Sequence, residues 1–78
     1  MGDKELGAFL RLACEVSLEN TDGQVVFYIA DLTRVAQVPA GVLIAALVCL
    51  LQREYIAPYD SCWYRITAAG MTATVLGD

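Results

Sequence analysis

Residues 40–51 read AGVLIAALVCLL, a stretch that contains no charged side chain and no strong hydrogen-bonding side chain. Pro39 precedes it and suits the first turn of a helix, because proline has no N–H group to leave unpaired there. The sequence therefore predicts a helix over residues 39–54 that is apolar on every side. The side chains expected to face the core, at 100° per residue, are Leu43, Ala46, Leu47 and Leu50.

Three further helices and three strands are predicted around this stretch. Apolar residues at helical spacing indicate a first helix over residues 4–18. The β-branched and aromatic run at residues 25–29 indicates a strand that follows an Asp-Gly turn. A short second helix is expected to begin near Asp31 and to end near Pro39.

A hairpin and a capped helix are predicted to complete the chain. Strands at residues 56–59 and 62–66 are expected to join at Asp60-Ser61. Thr67 can then cap a short last helix that extends to about Leu76.

Three segments resemble the winged-helix family of small transcriptional regulators. Residues 31–38 (DLTRVAQV) resemble the opening of a helix-turn-helix, and residues 47–56 resemble the end of its recognition helix. Residues 64–70 (YRITAAG) look like the Y-x-L-T-x-x-G junction between wing and last helix in such regulators. The resemblance implies an α+β fold, a single winged helix-turn-helix domain over residues 1–78. Its expected parts are a three-helix core, a short strand, a β-hairpin wing and a short C-terminal helix.

A narrower resemblance is to protein D of dissimilatory sulfite reductase systems, a free-standing winged-helix protein of similar length. Residues 27–33, 43–48 and 64–70 are similar in kind and order to segments of that family. This resemblance implies regulation of a reductase by binding rather than by chemistry.

The outward side of the predicted third helix lacks the side chains that read DNA. Base edges and phosphates are recognised through hydrogen bonds and charge. Among the outward positions only Gln52 could contact a base. Exposed apolar surface is instead typical of contact between proteins. We therefore expect Gly41, Ala45 and Val48 to contact a second copy of the chain or another protein, with Ile44 at the margin.

The predicted hairpin is aromatic rather than basic. Four aromatic residues lie within ten positions, and such residues are enriched at protein contact sites. Asp60 at the tip would repel phosphate. Two of the four are expected to pack onto the first and third helices, and Tyr59 and Trp63 are expected at the margin of the contact surface.

Nucleic-acid binding is the rival hypothesis, and the resemblance to regulators supports it. The net charge of −4 and the scattered basic residues raise the cost of approaching a polyanion. Stacking of single-stranded bases on the aromatic residues would also need a basic groove. The contacts of a DNA-binding regulator would have to come from Arg34, Gln52, Arg53 and Arg65, whereas only Arg53 and Arg65 lie near the aromatic residues.

Composition argues against an enzyme, a metal site and a cofactor site. The chain has no His, no nucleophile beside a base and no glycine-rich phosphate loop. Its three cysteines are far apart and without CxxC spacing, which favours reduced core or interface residues in the cytoplasm. The 12-residue apolar run is shorter than the ~20 residues of a membrane span. We therefore expect a cytoplasmic protein without a membrane partner.

Overall fold

A computed structural model of the chain describes residues 2–75. Over these residues four helices and a four-stranded antiparallel sheet form an α+β structure. The last helix was predicted to extend to about Leu76, but it ends at Ala73, and Thr74 and Val75 form a turn. The elements in chain order are α1 (Asp3–Glu15), β1 (Leu18–Glu19), β2 (Val25–Tyr28), α2 (Ile29–Ala36), α3 (Ala40–Gln52), β3 (Ile56–Asp60), β4 (Trp63–Ile66) and α4 (Ala68–Ala73).

The strand order is β1-β2-β4-β3, and β1 is a strand that the sequence pattern did not predict. The first helix was predicted to reach residue 18, which was wrong, because α1 ends at Glu15 and Leu18 pairs with Val26 instead. Asn20 stabilises the turn that connects β1 to β2. Its Oδ1 accepts the backbone N–H groups of Asp22 and Gln24 at 3.0 and 2.9 Å.

The β3–β4 hairpin turns one residue later than predicted. The turn residues are Ser61 and Cys62, with Cys62 at a left-handed φ of 63°, so Asp60 is the last residue of β3 and pairs with Trp63. The register shifts between Pro58 and Asp60, where β3 carries one extra residue. Such a bulge bends the strand and redirects the side chain at that point.

The hydrophobic core lies between the helices and one face of the sheet. Three of the four α3 residues predicted to face it are buried, whereas Leu47 is half-buried. α1 contributes a stripe at the i, i+3, i+4 and i+7 spacing of an amphipathic helix. The fully buried side chains with the largest volumes are Phe27, Leu6, Leu10, Leu32, Leu50 and Ile56.

The segment YRITAAG forms the junction of β4 and α4, and the contacts of Thr67 and Gly70 there explain why these two residues suit it. The predicted cap is confirmed, because Thr67 Oγ1 accepts the Gly70 backbone N–H at 3.0 Å. Thr67 also donates its hydroxyl to the Glu54 carbonyl at 2.6 Å and its N–H to the Tyr55 carbonyl at 3.1 Å. A Cβ on Gly70 would overlap the Tyr55 carbonyl oxygen and lie 2.9 Å from the carbonyl carbon. The glycine therefore permits α4 to pack directly on the backbone that enters β3.

Candidate interaction surfaces

The side of α3 that points away from the core is exposed and apolar. We define the α3 outer face as Gly41, Ile44, Ala45 and Val48, all of which are exposed. Relative exposure reaches 61% for Ile44 and 46% for Val48. These positions have the i, i+3, i+4 and i+7 spacing of one helix face, and none carries a charge. The side chains of this face have no hydrogen-bonding groups. Contact with another apolar surface is therefore more favourable for them than contact with water.

Among residues 2–75, nothing in the packing requires glycine at position 41. A Cβ at this position would meet no heavy atom of these residues within 4 Å. Glycine in a helix is less favourable than alanine by about 1 kcal/mol in the interior. A missing side chain there leaves a shallow depression beside Ile44 that is open to the outside.

The second face of the sheet, on the side opposite the core, carries apolar and aromatic residues together with Arg65 and Asp60. Phe27 and Tyr64 point toward the core and their ring centroids are 6.1 Å apart. Because side chains alternate along a strand, Val26 and Trp63 belong to the other face. Val26 is only 4% exposed although it lies outside the core cluster. Residues on this second face therefore cover it.

A groove of about 370 Å³ lies on this second face. We call it the sheet groove. Tyr59 crosses the face above Val26, since its hydroxyl accepts a hydrogen bond from Asn20 Nδ2 at 2.6 Å, from the opposite edge of the sheet. The apolar and aromatic lining residues are Leu18, Val26, Tyr59 and Trp63, and the polar ones are Glu19, Asn20 and Asp60.

The candidate contact residues therefore belong to two surfaces. Tyr59 and Trp63, expected at the margin of the third-helix surface, line the sheet groove, whose lining comes from β1, β2, the hairpin and the turn after β1. Tyr55 and Tyr64 pack against the core. The contribution of Leu18 and Val26 to a surface site was not predicted. The adjacent Val25-Val26 pair carried the signal, because successive apolar residues indicate a strand covered on both faces.

The side chains nominated for nucleic acid do not form one basic surface. Arg34 pairs with Asp31 at 3.1 Å on α2. Arg53 pairs with Asp3 at 2.5 Å. The hydrogen bond to Asp3, and to a smaller extent the one to Tyr55, raises the pKa of the Arg53 guanidinium. Arg65 is half-buried on the second face of the sheet, and Gln52 is exposed at the end of α3. Carboxylates thus already neutralise two of the three arginines.

The three cysteines are unpaired and separate. Cys14 and Cys49 are half-buried against the core, whereas Cys62 is exposed in the hairpin turn. Partial burial raises the pKa of the Cys14 thiol, so this group is protonated at neutral pH. No three His, Cys, Asp or Glu side chains between residues 2 and 75 are grouped as metal ligands.

Comparison of the chain with protein-family models, with curated proteins and with solved structures found no match. Among the helices described for residues 2–75, none has both the length and the apolar character needed to cross a bilayer.

Proposed function

We propose that this chain is a winged-helix domain that acts as a regulatory binding module, through protein contact at the α3 outer face. The observation that carries the proposal is the exposure of Ile44 and Val48 on a helix face without a single charge. A helix that is apolar on all sides is normally buried on all sides. Within the described residues 2–75, α3 buries only one side, so its other side can contact a partner.

The order of the elements supports the winged-helix assignment. A helix, the strands β1 and β2, two helices, a two-stranded hairpin and a last helix follow one another, so that β1 is the one element beyond the expected winged-helix order. Three residues connect α2 to α3, and the first, Gln37, has a left-handed φ of 52° that turns the chain sharply. The β3–β4 hairpin then occupies the place of a wing. In DNA-binding members of such a family α3 would carry the base-reading side chains.

The shape of the α3 outer face favours a second copy of the chain as the partner. Ile44 and Val48 form a raised row at i and i+4, and Gly41 and Ala45 form an adjacent low row with the same spacing. A two-fold axis would place the raised row of each copy in the low row of the other. Because none of its residues is charged, this face brings no like charges into direct contact when two chains of net charge −4 associate.

The expected association is modest in strength. Fully burying a valine or isoleucine side chain is worth roughly 1.5–3 kcal/mol. Because these side chains are about half exposed, completing their burial contributes roughly 1 kcal/mol each, or about 4 kcal/mol over both copies, before the cost of association. Further contacts around the face must add to this value, and the dimer is expected to depend on protein concentration.

Sedimentation velocity over a hundredfold range of concentration, combined with a duplex titration, tests the proposal. We expect the sedimentation coefficient to rise from monomer to dimer with concentration. Fluorescence anisotropy of a labelled mixed-sequence DNA duplex should remain flat at low and at moderate salt. A protein that stays monomeric at every concentration and binds duplex would contradict the proposal.

DNA binding is the second candidate, and one observation favours it. Arg53 and Arg65 line a common surface groove of about 580 Å³ near the start of α4. If duplex binds, its affinity should fall steeply with salt concentration. Arg53→Gln and Arg65→Gln should each weaken binding and reduce the slope of log affinity against log salt concentration by about one. The same groove also contains Glu54, which opposes a phosphate there.

A further inference from the structure

The groove that Arg53 and Arg65 share combines positive charge with apolar walls, and we call it the arginine groove. It lies where the end of α3, the start of β3 and the start of α4 meet, and its volume of about 580 Å³ is within the range of small-molecule sites. Such sites have a mainly apolar lining with a few polar groups that orient the ligand. The apolar lining residues here are Leu51, Ile56, Ala57, Pro58, Ala68 and Ala69.

Arg65 is a cationic lining residue of this groove that lacks a partner. Its side chain is half-buried, and within residues 2–75 it has no hydrogen-bond or ion-pair partner. Its cross-strand neighbours, Val26 and Ala57, offer no polar side chain. A guanidinium is always charged and has five N–H donors, so partial burial removes hydration that these neighbours do not replace. An anion in the groove would supply the missing acceptor.

Arg53 and Glu54 complete the charge of the arginine groove. The Arg53 side chain is paired with Asp3 of α1 and remains 43% exposed. Two arginines and one glutamate give the lining a net charge of +1. One carboxylate matches this charge. Duplex DNA carries one negative charge per about 1.7 Å of its axis and calls for a longer basic surface, without apolar walls.

We propose that the arginine groove binds a small organic acid with a single carboxylate and an apolar body. The carboxylate would accept hydrogen bonds from Arg65, because the planar fork of guanidinium donors matches the two oxygens of a carboxylate. The apolar body would lie on Ala57, Pro58 and Ala69, where it is removed from water. This inference adds a small ligand to the proposed protein contact, and it uses a surface separate from the α3 outer face.

The probe is phenylpropionate, titrated into isotope-labelled protein while the backbone amide signals of residues 65–69 are followed by NMR. Phenylpropanol keeps the apolar body and loses the charge, whereas acetate keeps the charge and loses the body. We expect a saturable shift with phenylpropionate. Each of the other two compounds should bind about tenfold more weakly or worse, since a charged hydrogen bond and the burial of a ring each contribute about this factor.

Three variants test the charges of the groove. Arg65→Gln should weaken the binding of phenylpropionate about tenfold and leave that of phenylpropanol unchanged. Glu54→Gln should strengthen the binding of phenylpropionate by about 1.4- to 5-fold, because it removes a like charge near the ligand. Arg34→Gln is the matched control on α2 and should have no effect. Circular dichroism checks that each variant is folded.

Several outcomes would overturn the proposal. Equal affinity for phenylpropionate and phenylpropanol would show that the groove does not recognise the charge. Equal affinity for phenylpropionate and acetate would show that it takes any anion. The absence of a saturable shift at millimolar phenylpropionate would also contradict the proposal, as would affinity that is the same in Arg65→Gln. Duplex binding by a protein that ignores phenylpropionate would favour the DNA-binding candidate instead.

Two controls separate this proposal from the proposed function. Arg65→Gln should sediment like the wild type, since Arg65 lies outside the α3 outer face. Val48→Glu should bind phenylpropionate as the wild type does. Binding of phenylpropionate by a protein that never self-associates would support the arginine groove and contradict the dimer, whereas a dimer that ignores phenylpropionate would do the reverse.

Discussion

Replacing Val48 by Glu is expected to yield a monomer that keeps its fold. Val48 is 46% exposed, so a longer polar side chain can extend into water without displacing a core residue. In a two-fold dimer the same change places two carboxylates at one apolar interface. Burying an unpaired charge costs several kcal/mol, more than the association we expect from this face. Sedimentation velocity should therefore show monomer at concentrations where the wild type is dimeric.

Met71→Glu is the matched control for this prediction. Met71 is 44% exposed and also lies on a helix, but on α4 rather than α3. This variant should dimerise like the wild type, and both variants should retain the circular dichroism spectrum and melting temperature of the wild type to within a few degrees. Ala45→Glu should reproduce Val48→Glu. Dimerisation of both α3 variants at the wild-type concentration would exclude the α3 outer face as the contact surface.

Gly41→Ala is expected to have opposite effects on folding and on association. The added Cβ meets nothing within 4 Å, so the monomer should gain up to about 1 kcal/mol from better helix propensity. The same methyl group fills the low row that receives Ile44 of the second copy, and association should weaken. Urea unfolding of dilute monomer and sedimentation at high concentration measure the two effects separately. An unchanged dimer affinity would show that the second copy does not approach Gly41.

Gly70→Ala is expected to destabilise the fold more than any surface change considered above. A Cβ that overlaps the Tyr55 carbonyl oxygen cannot be accommodated by a rotamer change, because the obstacle is backbone. Either α4 or the chain entering β3 must shift, which would also strain the two hydrogen bonds that Thr67 donates to Glu54 and Tyr55. Overpacking of this kind costs about 1–3 kcal/mol. A domain of this size has few kcal/mol to lose.

Thermal unfolding followed by circular dichroism measures this loss. Each kcal/mol should lower the Tm by about 4–8 °C in a domain of roughly 60–100 residues. Gly41→Ala is the matched control, because it is the same chemical change at a position with open space. A Gly70→Ala protein that melts within one degree of the wild type would show that α4 does not pack on Tyr55 as described.

The order of the main elements and the buried side of α3 could be predicted from the residues alone. Periodicity places Leu43, Ala46 and Leu50 toward the core, because a helix repeats every 3.6 residues whatever it packs against. The Thr67 cap was readable for a similar reason, since capping joins residues only three positions apart. Charge content is equally visible in the sequence, and it indicates that α3 lacks DNA-reading side chains.

The grouping of distant residues on one surface depends instead on the tertiary fold. Tyr59 and Asn20 are separated by 39 positions, and the sheet brings them to a 2.6 Å hydrogen bond. The short strand β1 forms because Leu18 pairs with Val26. Two residues are too few for a sequence pattern to predict such a strand. The need for glycine at position 70 likewise comes from the Tyr55 carbonyl, which lies far from it in sequence. Local propensity acts over a few residues, whereas strand pairing and close backbone approach depend on the whole chain having folded.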